Sequence, residues 1–119
     1  MKEKRLDLSD VAGGYLVIDR SVFPLPTKRT TIGRHTDNDC IVNDPTISRK
    51  HAEITFENDV FVISDLGSTG GTYVNNKRIE KSVLNSGDII LLGRYPMMFM
   101  YEDPGMIQQH NEEETGSFK

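Results

Sequence analysis

Residues 51–66 read HAEITFENDVFVISDL, two alternating runs separated by Asn58-Asp59. In the first run Ala52, Ile54 and Phe56 share one face while Glu53, Thr55 and Glu57 share the other, the pattern of a strand with one wet side. Asn58-Asp59 then reads as a hairpin turn. The same period near two recurs along the chain in short runs broken by turn residues, and no segment sustains the 3.6-residue spacing of an amphipathic helix. The candidate strands are 15–20, 21–26, 29–33, a short 40–43, 51–58, 59–66, 72–76, 77–79, 87–93 and 96–102. An all-β chain of short strands at this spacing suggests a sandwich or barrel rather than a βαβ protein. Pro96 opens the last run, which suits an edge or strand-start position because proline cannot donate to a ladder.

The length of 119 residues fits one domain with a real core. Residues 1–12 and 103–119 are polar and aperiodic, so a core domain over 13–102 is expected between a flexible N-terminal segment and a flexible acidic C-terminal tail. The lone Cys40 cannot close an intrachain bridge, no apolar run approaches the roughly 20 residues of a membrane span, and the first ten residues resemble no secretory leader. A cytoplasmic, monomeric protein without membrane partners is expected. The net charge of −4 argues against nonspecific nucleic-acid binding, which needs surplus basic surface. A few arginines can still build a local anion site on an acidic chain.

Three turn segments carry an unusual composition: IGRHTDNDC (32–40), DPTISRKHAE (44–53) and LGSTGGTYVN (66–75). Each adjoins a strand, so in a sandwich they can gather at one end, as binding loops do. Together they offer Arg34, Ser48, Arg49, Lys50, Thr69 and several loop amides, donors without a paired carboxylate. Such a set suits an oxyanion, and a phosphate monoester carries about −1.5 to −2 charges on three acceptor oxygens. An arginine can bond it bidentately while hydroxyls and amides take the remaining lone pairs.

The order Gly33-Arg34, Ser48-Arg49-Lys50-His51-Ala52, Asp65 to Asn75, Leu84 to Asp88 and Leu92-Gly93 resembles the forkhead-associated (FHA) domain. The resemblance covers residues 15–101 and rests on motifs in matching order and spacing, far above a lone glycine-rich loop. It implies an FHA/SMAD-like β-sandwich of about eleven mostly antiparallel strands, with loops at one end that bind phosphothreonine in an extended peptide. The implied role is a non-catalytic protein–protein interaction module in Ser/Thr kinase signalling, with no cofactor. Position by position, Arg34 and Ser48 match phosphate contacts, Arg49 a second polar or basic contact, and Thr69 the hydroxyl that completes the cradle. Gly33, His51, Gly71 and Asn75 match positions that shape the loops. A recess for the extra methyl explains a preference for threonine over serine, one buried methyl contributing about 0.8 kcal/mol. Thr46 matches a position near the third peptide residue past the phosphothreonine, and as a threonine it offers no charge there.

One letter departs from the family pattern. Where the family has Asn-Gly this chain has Gly70-Gly71, so the amide that bonds the peptide backbone is missing. Losing one such bond, worth roughly 0.5–1.5 kcal/mol, weakens peptide binding about three- to tenfold. Gly70 is expected to hold a positive-φ turn that asparagine also tolerates, keeping the loop shape.

Two other classes compete with this reading. Ser48, His51 and Asp65 nominally supply nucleophile, base and orienter, but no nucleophile elbow or oxyanion-hole motif accompanies them. His35, His51, His110 and Cys40 follow no metal-ligand spacing, and Met97, Met98, Met100 and Met106 suit strand filling and tail rather than a soft-metal site. A closer rival is a sandwich that binds proteins without phosphate, its ligand site degenerate at Gly70. Thr115 follows three glutamates, so an acid-directed kinase could phosphorylate it. The tail from Asp103 to Thr115 spans up to about 40 Å when extended, enough to reach its own site or a neighbour's. The simpler role of that tail is a solvated acidic segment that aids solubility.

Overall fold

A computed structural model describes residues 11–102. The strands are β1 (Val11–Ile18), β2 (Ser21–Pro26), β3 (Thr30–Gly33), β4 (Cys40–Ile41), β5 (Ala52–Glu57), β6 (Val60–Asp65), β7 (Thr72–Val74), β8 (Lys77–Ile79), β9 (Lys81–Leu84), β10 (Ile89–Leu92) and β11 (Tyr95–Tyr101). They form two sheets, ordered β2-β1-β11-β10-β7-β8 and β4-β3-β5-β6-β9. All pairings are antiparallel except β3 with β4. The all-β sandwich expected from the alternation is therefore present. Among the described residues there is no helix, so none long and apolar enough to cross a membrane.

The local chemistry of the turns fixes the register. Asn58 and Asp59, with φ of 52° and 69°, join β5 to β6 as a two-residue loop between the paired Glu57 and Val60. Asn75 and Asn76, with φ of 51° and 70°, do the same between Val74 and Lys77. Two consecutive left-handed residues match the right-handed twist of the flanking strands, and Asn and Asp tolerate that conformation best among non-glycine residues.

Several strand assignments differ from the sequence expectation. Residues 75–76, expected within the strand 72–76, form the β7–β8 turn because both are left-handed. β1 begins at Val11 rather than Tyr15, taking in two residues assigned above to the N-terminal segment. The β1–β2 register shifts between Val11 and Tyr15, across Gly13-Gly14, and the strand continues through the irregularity. β9 was absent from the candidate runs because KSVL buries only Leu84, too little for a visible period. Pro96 lies in an internal strand, not an edge, although near the strand start as expected. It is tolerated because β1 pairs with β11 only from Met98 to Tyr101, so Pro96 has a ladder neighbour on one side only.

The inner faces of the two sheets supply the core: Leu16, Ile90, Leu92 and Phe99 from one, Ile32, Ile54 and Ile63 from the other. Phe61 bridges them, its ring centroid 4.7 Å from Phe56 and 5.4 Å from Phe99. Tilted aromatic pairs at such spacing add to simple area burial. Truncating Phe99, which is 1% exposed, opens a cavity between the sheets. We expect Phe99→Ala to lower unfolding free energy by about 3–5 kcal/mol in urea titrations with an unchanged m-value, whereas a smaller loss would mean that the interface is loosely packed.

Candidate functional site

The three polar turns do gather at one end of the sandwich, and hydrogen bonds between their backbones place them. The β3–β4 loop is held to the β4–β5 loop by Arg34 N–H to Ser48 O (3.0 Å) and His35 N–H to Arg49 O (3.2 Å). Gly33 permits this approach, since a Cβ there would lie 2.1 Å from the Arg49 carbonyl oxygen. Asn38, buried and passed over in the sequence reading, donates Nδ2–H to the carbonyls of His35 and Arg49 and so ties the same two loops a second time. Nothing distinguished it from an ordinary loop asparagine in TDNDC.

His51 joins the β4–β5 loop to the β6–β7 loop. Fully buried, it accepts the Ser48 N–H at Nδ1 (3.0 Å) and donates Nε2–H to Gly71 O (2.8 Å), which fixes the neutral tautomer protonated at Nε2. Its own backbone bonds Ile32 and Leu66. The β6–β7 loop is then organised around Asp65. Oδ1 accepts from the hydroxyls of Ser68 and Thr72, each at 2.6 Å, and Oδ2 accepts from the amides of Gly67 and Ser68. Ser68 Oγ in turn accepts the Gly71 N–H at 2.9 Å.

These constraints bring Arg34, Ser48 and Thr69 together along one open trough of about 720 Å³, with Thr46 and Gly70 also on its wall. Ser48 Oγ accepts the Thr69 N–H at 3.1 Å, directly joining two residues expected to share a ligand. The Arg34 side chain is oriented by Nε–H to Ile47 O at 2.9 Å, which leaves the outer guanidinium nitrogens to a ligand. No residue lining the trough is acidic, although the whole chain carries −4. Gly33, His51, Gly71 and Asn75 do not line the trough. Asn75, in the β7–β8 turn, ties that turn to the start of β10: its side chain accepts from Ile89 N–H and donates to Asp88. Arg49 is exposed, and it does not line the trough. Tyr73, Leu91 and Arg94 do line it, and the sequence reading passed over all three, because two sit on strands and one on an ordinary hairpin tip.

The expectation for Gly70 requires correction. Gly71, with φ of 87°, holds the left-handed position, and Gly70 is not left-handed. Gly70 instead allows a close approach: a Cβ there would stand 3.0 Å from Gly93 Cα and 3.2 Å from Thr46 O. Thr46 is also more constrained than its sequence suggests, since its hydroxyl donates to Asp44 and accepts the Arg94 N–H.

The arrangement does not build a hydrolytic triad. His51 Nδ1 meets the Ser48 amide rather than its hydroxyl, and Nε2 faces a carbonyl rather than Asp65. Among the described residues no three His, Cys, Asp or Glu side chains cluster to hold a metal ion.

Burial pushes the Asp65 carboxyl up, but the hydroxyls of Ser68 and Thr72 and the amides of Ser68 and Gly67 outweigh it and hold the group below the usual carboxylate range. A depressed folded-state value means that the stabilisation is complete above the unfolded value near 3.8 and is lost as pH falls through the lower folded value. Asp65→Asn is therefore expected to cost about 1–3 kcal/mol at neutral pH and to flatten the acid limb of stability against pH, as read by urea titrations across that range. Parallel acid limbs in the two proteins would contradict this role.

Comparison with known proteins agrees with the fold. A family model for the FHA domain matches residues 30–93, more than half of the chain. The glycogen accumulation regulator GarA of Mycobacterium tuberculosis is 37% identical over 89 residues, 75% of this chain and 51% of GarA. The oxoglutarate dehydrogenase inhibitor of Corynebacterium diphtheriae is 38% identical over 100 residues, 79% of this chain and 70% of the inhibitor. A solved structure from an analysis of phosphothreonine-dependent FHA domain interactions is similar at 31% identity and a TM-score of 0.73, covering 76% of this chain and 97% of that one. The chain spans about half the length of the GarA proteins it matches. The matched segment runs from β3 to the β10–β11 turn and so contains all three loops of the trough: the chain belongs to the FHA domain family.

Proposed function

We propose that this chain is a phosphothreonine-binding module of Ser/Thr kinase signalling that acts by holding a phosphorylated partner rather than by catalysis. The observation that carries this reading is the shared trough of Arg34, Ser48 and Thr69, free of carboxylates and with its loops braced by His51 and Asp65. A dianionic phosphate would take the outer guanidinium nitrogens of Arg34 and the hydroxyls of Ser48 and Thr69, and Arg49 would add long-range attraction from the rim. The working unit would be the folded domain from β1 to β11, residues 11–102, a monomer in the cytoplasm. The regulatory names of GarA and of the oxoglutarate dehydrogenase inhibitor support a role in controlling an enzyme through such binding.

Titrating a phosphothreonine peptide library, with unphosphorylated controls, tests the reading. Arg34→Ala and Ser48→Ala should each lower affinity, Arg34→Ala by about tenfold to a hundredfold, as expected for hydrogen bonds to a charged group. Equal binding of the unphosphorylated peptides would instead establish the phosphate-independent sandwich that the missing asparagine at Gly70 favours.

Thr115 lies outside the described residues. Its three preceding glutamates support phosphorylation by an acid-directed kinase, after which the tail would occupy its own site or that of a neighbour. Phosphorylating Thr115 should then shift the amide resonances of Arg34, Ser48 and Thr69, and unchanged shifts would leave the tail as a solvated segment.

A further inference from the structure

The trough extends past the phosphate cradle to the tip of the β10–β11 hairpin. Gly93-Arg94 forms that tip, a two-residue loop between the paired Leu92 and Tyr95, with Gly93 at φ of 64°. The tip is fastened to the phosphate loops at two points. Gly93 N–H donates to Gly71 O (2.9 Å), the same carbonyl that His51 holds, and Arg94 N–H donates to Thr46 Oγ1 (3.1 Å). The contact is close: a Cβ on Gly93 would lie 2.2 Å from Thr46 O, and one on Gly70 would lie 3.0 Å from Gly93 Cα. A side chain at position 70 would therefore press on the hairpin tip. With glycine here the tip packs directly against the cradle, and Arg94 lines the same trough as Arg34.

Arg94 is exposed, and none of the ion pairs among the described residues involves it. Tyr73 and Leu91, both partly buried, line the same trough. Asp44, which shares Thr46 with the hairpin tip, accepts from the amide and hydroxyl of that residue. Two arginines thus stand in one groove of an acidic chain, one in the phosphate cradle and one beyond it with no ion-pair partner among the described residues.

Resting on the phosphothreonine reading above, we infer that Arg94 is a specificity-determining residue: it takes a carboxylate side chain of the bound peptide, so the preferred partners are phosphothreonine segments with an acidic flanking residue. Arg94 thereby replaces with a side-chain contact part of what the chain loses at Gly70. Because the pair is solvent-exposed, its contribution is modest and salt-sensitive.

The test uses the full chain and an alanine-background phosphothreonine peptide in which one flanking position at a time carries Asp, Ala or Lys, read by fluorescence anisotropy. At one position Asp should bind about two- to fivefold tighter than Ala, with Lys weaker than both, and the spread should shrink as salt rises. Arg94→Glu should invert the order at that position, favouring Lys, while Arg34 dependence stays intact. Phosphate-dependent, Arg34-dependent binding that is indifferent to charge at every position, or a preference for Asp that survives Arg94→Glu, would overturn the assignment and leave the phosphothreonine reading standing. Binding that ignores the phosphate altogether would overturn both.

Discussion

The site depends on one buried imidazole. His51 accepts from Ser48 and donates to Gly71, so a single neutral ring sets the distance between the loop that carries the serine and the loop that carries Thr69. Inside the protein these bonds meet little competition from water, and a buried ring with both nitrogens satisfied leaves the loops little freedom to drift apart. Gly71 O then takes a second donor from Gly93, which carries the same constraint on to the β10–β11 hairpin. Three loops far apart in sequence are positioned through one side chain and one carbonyl.

Around that centre the structure separates the groups that hold the loops from those left to meet a ligand. Asp65 spends its charge on internal donors and Asp44 on Thr46, while the neutral Asn38 amide donates to two carbonyls. Arg34 commits only Nε, Ser48 retains its hydroxyl proton, and Thr69 contributes an amide while its side chain stays at the surface. Carboxylates engaged by internal donors, with cations and hydroxyls lining the trough, would suit an acidic protein to a local anion site. That is why a net charge of −4 can argue against a broad nucleic-acid surface without speaking against a local phosphate cradle.

Much of the sandwich was legible because its strands alternate and its turns use Asn and Asp where two left-handed residues are needed. The runs 51–58 and 59–66 became β5 and β6 with Asn58-Asp59 between them. Legibility failed where period two was interrupted or too short. The irregularity across Gly13-Gly14 hid the first half of β1, and β9 shows one buried residue in four. At the site, Arg34, Ser48 and Thr69 stood out through their place in family motifs. Asn38, Tyr73, Leu91 and Arg94 had no such signal, since each is ordinary for its local element and matters only through what folds against it.

By itself the sequence determined an all-β chain, the Asn58-Asp59 hairpin turn, and the donors of three loops, because alternation, turn chemistry and side-chain type are local properties. Tertiary structure alone decided how those loops meet. It moved the left-handed residue from Gly70 to Gly71, placed Gly70 against Gly93, and brought Arg94 into the groove. Each is a contact between segments distant in the chain, and such contacts are set by sheet order and by a buried histidine that no local pattern encodes.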